Sequence, residues 1–456
     1  MEQSRVEINH AIWPATAAIK NGQLELGGCK ATDIVDRFGS PIFVLDETDF
    51  RDRVTSWRNE FANSFGSFAG EVYYAAKAFI SVEVAKIIKE IGIGLDVCTG
   101  GELAVARAAN FPGSRMELHG NNKSEAELKA AIDHRVKTIV IDSHQEIARV
   151  ARIAHEKGLT QDVMLRLNPG VEAHTHEFIA TAHEDVKFGF SIASGSAWDA
   201  ILEVTKHESL KLIGLHAHIG SQIFVTDGFA ETATRLIAVL ARYQSEFGVA
   251  LENLDLGGGF GIAYTAKDNP LSAGEILPEL NKIIIEECKK GGIEVPRISI
   301  EPGRALIGPS VVTLYRVGTT KEVELESGKS RLYVSVDGGM SDNIRTALYG
   351  AEYTAIIADR VSSAKGRDCR VVGKHCETGD IIINSIELPG DIAPGDILAV
   401  PATGAYGRSM ASNYNHVPRP GVISVVNGRA RTIVRSETEA DLLALDVVEP
   451  AEKLGT

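Results

Sequence analysis

Eight short apolar runs, each followed by a helical pattern, fill the chain from about residue 70 to 305. They span 72–76, 94–97, 116–119, 138–142, 163–167, 212–216, 253–256 and 297–300. Val, Ile and Leu dominate them, as in strands covered on both faces. Residues 102–109 and 124–134 are two of the intervening helices. The second opens on Ser124 with Glu127 three residues later, a capping-box pair. Strands alternating with helices make βαβ units and a parallel sheet. Eight such units suit a closed (β/α)8 barrel, although the periodicity also fits an open, doubly wound sheet.

Polar or flexible residues follow these runs: Lys77, Asp96, Asn121 and Asn122, Asp142, Asn168, His216 and His218, Gly257 to Gly259, and Glu301. In barrel enzymes the chemistry sits at the C-terminal ends of the strands, and a purely structural barrel has no need of this pattern. Lys77 closes an otherwise apolar stretch, Val72-Tyr73-Tyr74-Ala75-Ala76. Lysine is almost never fully buried without a partner. It either snorkels to solvent or is held at a reactive site, where desolvation turns the amine into a nucleophile for a carbonyl.

A chain of 456 residues exceeds the ~250–300 that one core supports, so two domains are expected. Past residue 310 the pattern changes to strand-like runs at 311–318, 331–336, 368–372, 396–400, 421–426 and 430–434, with a short helix near 342–349. This predicts a mostly antiparallel β-domain of sandwich or barrel-like form. The segment 13–43 and the strand-like 41–45 are expected to pack with it. The expected division is therefore a barrel over 48–309 and a discontinuous β-domain from 1–47 and 310–456.

Hydrophobic content of 44% and charged content of 24% are those of an ordinary globular protein. The net charge of −14 argues against nucleic acid as a partner. The five cysteines are widely spaced with no CxxC pair, which points to reduced thiols in the cytoplasm and to neither a disulfide scaffold nor a zinc site. Residues 1–23 lack the order of a signal peptide, and no apolar run approaches the ~18 residues of a membrane span.

Several motifs carry chemistry. Gly257-Gly258-Gly259 follows a strand and offers backbone N–H groups to a phosphate, or simply makes a tight turn. The spacing does not fit a dinucleotide fingerprint. Ile219-Gly220-Ser221-Gln222 is a second such loop. His216 and His218 are two residues apart, so alternation puts both rings on one face. No third metal ligand is evident at a suitable spacing. Either histidine could be a hydrogen-bonded core residue, and one could stack on a flat cofactor. Glu301, in Glu301-Pro302-Gly303-Arg304, needs a partner: a protonated heterocyclic nitrogen, Arg304 or Lys77. Cys376 reads by default as a small buried residue, yet His375 and Glu377 flank it. The loop 404–415 is rich in glycine and hydroxyls, and Tyr406 can offer its hydroxyl to an anion. A Schiff-base lysine, a phosphate cradle, a stacking histidine and an acid for a ring nitrogen together describe a pyridoxal-phosphate site.

At these motifs the chain resembles the fold-type III pyridoxal-phosphate decarboxylases, over residues 40 to 430 or so. The segments 74–79, 96–103, 187–190, 216–222, the glycine run and 301–304 carry the general resemblance. Those at 342–350, 376–377 and 404–415 resemble the diaminopimelate branch. The resemblance implies an alanine racemase-like barrel plus a β-domain, a homodimer with its active site at the subunit interface, and conversion of meso-2,6-diaminopimelate to L-lysine and CO2, the last step of lysine biosynthesis. It implies that Lys77 bonds the cofactor, His218 stacks on its ring and Glu301 pairs the pyridine nitrogen. Ser221, Gly258, Gly259, Gly303, Arg304 and Tyr406 would surround the cofactor, mostly at its phosphate. Arg304, Arg345, Tyr349 and Tyr406 would face the substrate. Cys376 and Glu377 would cross the dimer interface, Cys376 as proton donor and Glu377 as partner of the distal ammonium. The stretch His416-Val417-Pro418-Arg419-Pro420 departs from the usual Arg-Pro-Arg-Pro form. A decarboxylase of D-lysine, D-ornithine or another diamino acid and a non-catalytic binding or regulatory relative remain the competing readings. A racemase is disfavoured by Glu301, because racemase barrels place an arginine there. Three histidines, His174, His176 and His183, lie in a loop long enough to cover the site.

Overall fold

The structure, a computed structural model, describes residues 7–171, 187–326 and 328–449. His174, His176 and His183 lie outside the described residues. The chain divides into two compact units, one of Asn9–Ala15 and Glu47–Ser310, the other of Met1–Ile8, Thr16–Asp46 and Val311–Thr456.

The first unit is a closed parallel barrel. Its strands are β1 (Ala69–Ala75), β2 (Gly94–Val97), β3 (Met116–Leu118), β4 (Thr138–Ile141), β5 (Gln161–Asn168), β6 (Leu210–His216), β7 (Asn253–Asp255) and β8 (Arg297–Ile300). Each pairs in parallel with the next. The ring closes where β8 pairs with β1, Ile298 opposite Ala69 and Ile300 opposite Val72. That closure removes the open-sheet alternative. The strands are buried because helices cover their outer faces, and in β1 residues Val72, Tyr73, Tyr74 and Ala75 are all at most 3% exposed. Helix starts are locally encoded. Ser81 accepts the Val84 N–H, and Ser124 and Glu127 form the expected capping box.

The barrel interior is apolar in one part, where Val140, Met164 and Ile213 of β4, β5 and β6 pack together. Elsewhere it is ionisable. Asp96, Glu117, His119, His216, Asp255 and Glu301 are all at most 4% exposed. Buried charges on this scale must pair or take up protons.

The second unit is built on a mostly antiparallel sheet. Its long strand Val311–Glu324 pairs with Ile42–Asp46, with Ile397–Val400 and with Ser330–Val336 along successive stretches. Ile42–Asp46 also pairs in parallel with Val422–Val426, so the N-terminal segment completes a sheet made by the C-terminal part of the chain. The strand Ile381–Pro389, which sequence patterning missed, pairs with Gly366–Val372. Its apolar residues run consecutively at Ile381, Ile382 and Ile383 and then give way to Asn384-Ser385, so no clean alternation marks it. Among the described residues, no helix is long and apolar enough to cross a membrane.

Candidate active site

Four neighbouring strands, β6, β7, β8 and β1, deliver the barrel's candidate residues to one place. Lys77 lies in a tight turn just after β1, where the Ala78 N–H bonds the Ala75 carbonyl at 3.1 Å. It is half-buried between the fully buried Ala76 and Ala78. The loop after β8 packs on this turn so closely that a Cβ at Gly303 would stand 2.9 Å from the Ala75 Cβ and 3.2 Å from that of Ala78.

The glycine run after β7 is held by both neighbours. The Gly257 carbonyl accepts the Glu301 N–H at 2.9 Å, and the Gly258 N–H donates to His218 Nδ1 at 3.2 Å. None of the three glycines has room for a side chain. A Cβ would meet the Ala217 carbonyl oxygen at 2.5 Å from Gly257, that of Glu301 at 2.4 Å from Gly258 and that of Gly220 at 2.7 Å from Gly259. Gln222 laces the loops after β6 and β7 together, its amide donating to the Ile262 carbonyl and accepting the Ile262 N–H. The Ile223 N–H donates to Gly259 as well. Ser221 thereby sits beside the glycine run and accepts from Arg304 Nη2 at 2.8 Å, while Arg304 Nη1 donates to the Tyr264 hydroxyl.

Glu301 has partners that the sequence did not suggest. Its Oε1 lies 3.1 Å from His119 Nε2 and 3.2 Å from His216 Nε2. The strand β6 ends at His216, and the two histidines, placed on one face by alternation, have different surroundings: His216 faces Glu301 and His218 the Gly258 amide. Burial opposes the charge on Glu301, but His119 and His216 outweigh it and hold the carboxyl well below its usual range. Burial pushes Asp96 up to about 7, which leaves it partly ionised near neutral pH, and takes Asp255 well above the carboxylate range, so Asp255 retains its proton where Glu301 does not. Burial, reinforced by the Lys77 charge, keeps His218 neutral. A neutral imidazole is a flat, weakly polar surface suited to stacking. His119 escaped notice because 116–119 read as plain strand. The signal was its separation from Glu117: alternation puts residues two apart on one face.

In the β-domain the remaining candidates fall on three linked segments. Arg345 and Tyr349 bound a short helix, Arg345–Tyr349, and the buried Arg345 donates to the Tyr353 hydroxyl at 2.5 Å. Cys376 and Glu377 are exposed on a turn held by Asp380, which accepts the His375 and Met340 N–H groups. His375 itself is buried, with Nε2 2.8 Å from Ser341 Oγ. Tyr406, with φ of 59°, stands half-buried in the loop 404–415. That loop joins the others where the Ser412 N–H bonds Ser341 and Asn415 Oδ1 accepts the Cys376 N–H at 3.3 Å. Sequence distance hides these links: His375 and Ser341 are 34 residues apart and Cys376 and Asn415 are 39 apart.

Residues 47–308 match the model of the pyridoxal-dependent decarboxylases, pyridoxal binding domain. The chain is 51% identical over 441 residues to diaminopimelate decarboxylase of Mycobacterium tuberculosis, covering 96% of this chain and 98% of that one. It is 45% identical over 428 residues to the Bacillus subtilis enzyme of the same name, covering 94% and 96%. The crystal structure of diaminopimelate decarboxylase from M. jannaschii in complex with L-lysine is 30% identical, with a TM-score of 0.86 over 96% of this chain and 99% of that one. With its closed barrel, its sheet domain and identity along nearly its whole length, this chain belongs to the diaminopimelate decarboxylase family of pyridoxal-dependent decarboxylases.

Proposed function

We propose that the chain removes one carboxyl group of meso-2,6-diaminopimelate to release CO2 and L-lysine, with the residues at the mouth of β6, β7, β8 and β1 as the reaction centre. The observation that carries this is the contiguity of Lys77, the side-chain-free glycine run and an ionised Glu301. Pyridoxal phosphate fits these residues. The glycine run and Ser221 present backbone N–H and hydroxyl groups to a phosphate, and Arg304 adds charge. Glu301 is a carboxylate suited to a protonated ring nitrogen, and the neutral His218 suits a ring face. When bound, the cofactor supplies an electron sink for the pair left by the departing CO2.

The chain's own residues supply the rest. Lys77 offers its amine, the nucleophile for the cofactor's carbonyl, from a turn with buried neighbours. Arg304, Arg345, Tyr349 and Tyr406 orient the substrate by its carboxylates. A substrate with an amino-acid group at both ends needs a cation far from the reacting carbon, and Arg345 meets that need. Glu377 pairs with the distal ammonium. The Cys376 thiol returns a proton to the carbon that lost CO2. Cys376 and Glu377 are exposed in the single chain, which supports a homodimer in which each protomer lends them to its partner's barrel. The five cysteines are all free thiols, as suits a cytoplasmic enzyme.

The purified protein loaded with pyridoxal phosphate should release CO2 from meso-diaminopimelate. Lys77→Ala should lose both turnover and the visible absorbance of the lysine-bound cofactor. Turnover of D-lysine with none of diaminopimelate would overturn the substrate assignment. A band surviving in Lys77→Ala would overturn that of the lysine.

A further inference from the structure

The ion pair at Glu301 contains a residue to which no motif assigns a task. His119 stands at the end of β3, its side chain 5% exposed. Its Nε2 lies 3.1 Å from Glu301 Oε1, 3.6 Å from Glu117 Oε2 and 3.7 Å from Asp96 Oδ1. Acids from β8, β3 and β2 thus converge on one imidazole nitrogen. His216 of β6 reaches the same Glu301 oxygen at 3.2 Å, and among the described residues it has no second acid within ion-pair distance. The two rings meet edge to face, with centroids 4.9 Å apart at 68°. Asp255 of β7, Arg166 of β5, Lys77 after β1 and Glu102, in the helix after β2, complete the titratable surroundings.

Two adjacent imidazolium rings would repel, so one positive charge fits, and it belongs where three acids meet. Resting on the reading that Glu301 serves the cofactor's ring nitrogen, we propose that His119 is a positioning residue: its imidazolium holds the Glu301 carboxylate in place and charged, while His216 braces it as a neutral ring. The direction of titration agrees. Burial disfavours charge on both histidines, yet Asp96 and Glu301 outweigh it at His119 and hold that ring well above its usual range. At His216 burial prevails and takes the ring down to about 4. Without the His119 charge, burial and the neighbouring acids favour a protonated Glu301, which can no longer stabilise a protonated ring nitrogen.

The test uses wild type, H119Q, H216Q, E301Q and H119Q/E301Q. Each is stripped and titrated with pyridoxal phosphate by absorbance at several pH values, with turnover measured in parallel. H119Q should weaken cofactor affinity about tenfold near neutral pH, the equivalent of one pK unit of interaction, and the loss should deepen as pH falls. H216Q should lose less. In the E301Q background, H119Q should add no more than about twofold, because the group it acts on is gone. A tenfold loss in both backgrounds would make His119 merely structural and overturn the proposal, as would an unchanged affinity in H119Q alone. An E301Q chain that binds cofactor as wild type does would overturn the ring-nitrogen assignment itself, and this inference with it. If H119Q does not fold, ring-labelled histidine spectra of the wild-type holoenzyme decide, with H216Q used for assignment. A His119 ring cationic through neutral pH supports the proposal, and a neutral one overturns it.

Discussion

Replacing Gly258 by alanine tests whether the glycine run is tight because the cofactor must approach it. Gly257 and Gly259 have φ of 67° and 112°, but Gly258 does not lie in the left-handed region, so alanine there carries no dihedral cost. Its cost is steric. The new Cβ would stand 2.4 Å from the Glu301 carbonyl oxygen. An ordinary carbon–oxygen contact is about 3.3 Å, so the loop and the end of β8 must part by about 0.9 Å. Overpacking of this kind destabilises by about 1–3 kcal/mol. The displaced backbone is the one that carries Glu301, and a misplacement of about 1 Å costs on the order of 100-fold in rate. Gly258→Ala should therefore lower the thermal midpoint modestly, weaken pyridoxal phosphate in an absorbance titration and reduce kcat/KM about 100-fold. Gly274→Ala is the control. It lies in the helix Ala273–Gly291, and its Cβ would meet nothing closer than Glu60 Oε2 at 3.7 Å. Alanine there should leave activity unaltered and favour the helix by up to about 1 kcal/mol. Cofactor affinity and turnover in Gly258→Ala within about threefold of wild type, less than 1 kcal/mol, would refute the reasoning.

Cys376→Ala should reduce kcat about 100-fold or more, the range for loss of a general acid, with little change in the cofactor's dissociation constant; equal losses in both would make Cys376 a structural residue. Asp342 should tie the stability of the β-domain to pH. Burial pushes its carboxyl from 3.8 up to about 7, against the bond from the Tyr315 hydroxyl. The folded chain therefore holds this proton more tightly than the unfolded one. Its contribution favours folding at pH below 3.8 and is lost as pH rises to about 7. Denaturation midpoints followed across that window should fall less steeply with rising pH in Asp342→Asn than in wild type, and parallel curves would sink the idea.

Much of this site was readable residue by residue. Lys77, His218, Ser221, Gly258, Gly259 and Glu301 all stand at or just beyond strand ends, where a local change from apolar to polar or flexible residues marks them. The partners of Glu301 were not readable in this way. His119 hid inside a run that made sense as strand, and its importance depends on Asp96 and Glu301 reaching it from other strands. In the β-domain, Cys376 with its flanking His375 and Glu377, and Tyr406 in its glycine-rich loop, stood out from the residues, but their roles, and Arg345 altogether, came only from the resemblance. The hydrogen bonds joining the three segments through Ser341 and Asn415 mix side-chain and backbone groups, but their partners lie far apart in sequence, so no local pattern marks them.

By itself the sequence determined the alternation of strands and helices, the face each strand residue takes and the groups presented at the strand ends. These follow from local periodicity and from the cost of burying polar side chains. Only the tertiary structure decided that β8 pairs with β1. In an open sheet the strands carrying Lys77 and Glu301 need not be neighbours. In the closed ring the loop after β8 packs on the Lys77 turn, with Gly303 against Ala75 and Ala78. Each edge strand must find hydrogen-bond partners for its free N–H and C=O groups, and closing the ring satisfies both edges at once. That requirement falls on a pair of strands more than 200 residues apart, and no local pattern records it.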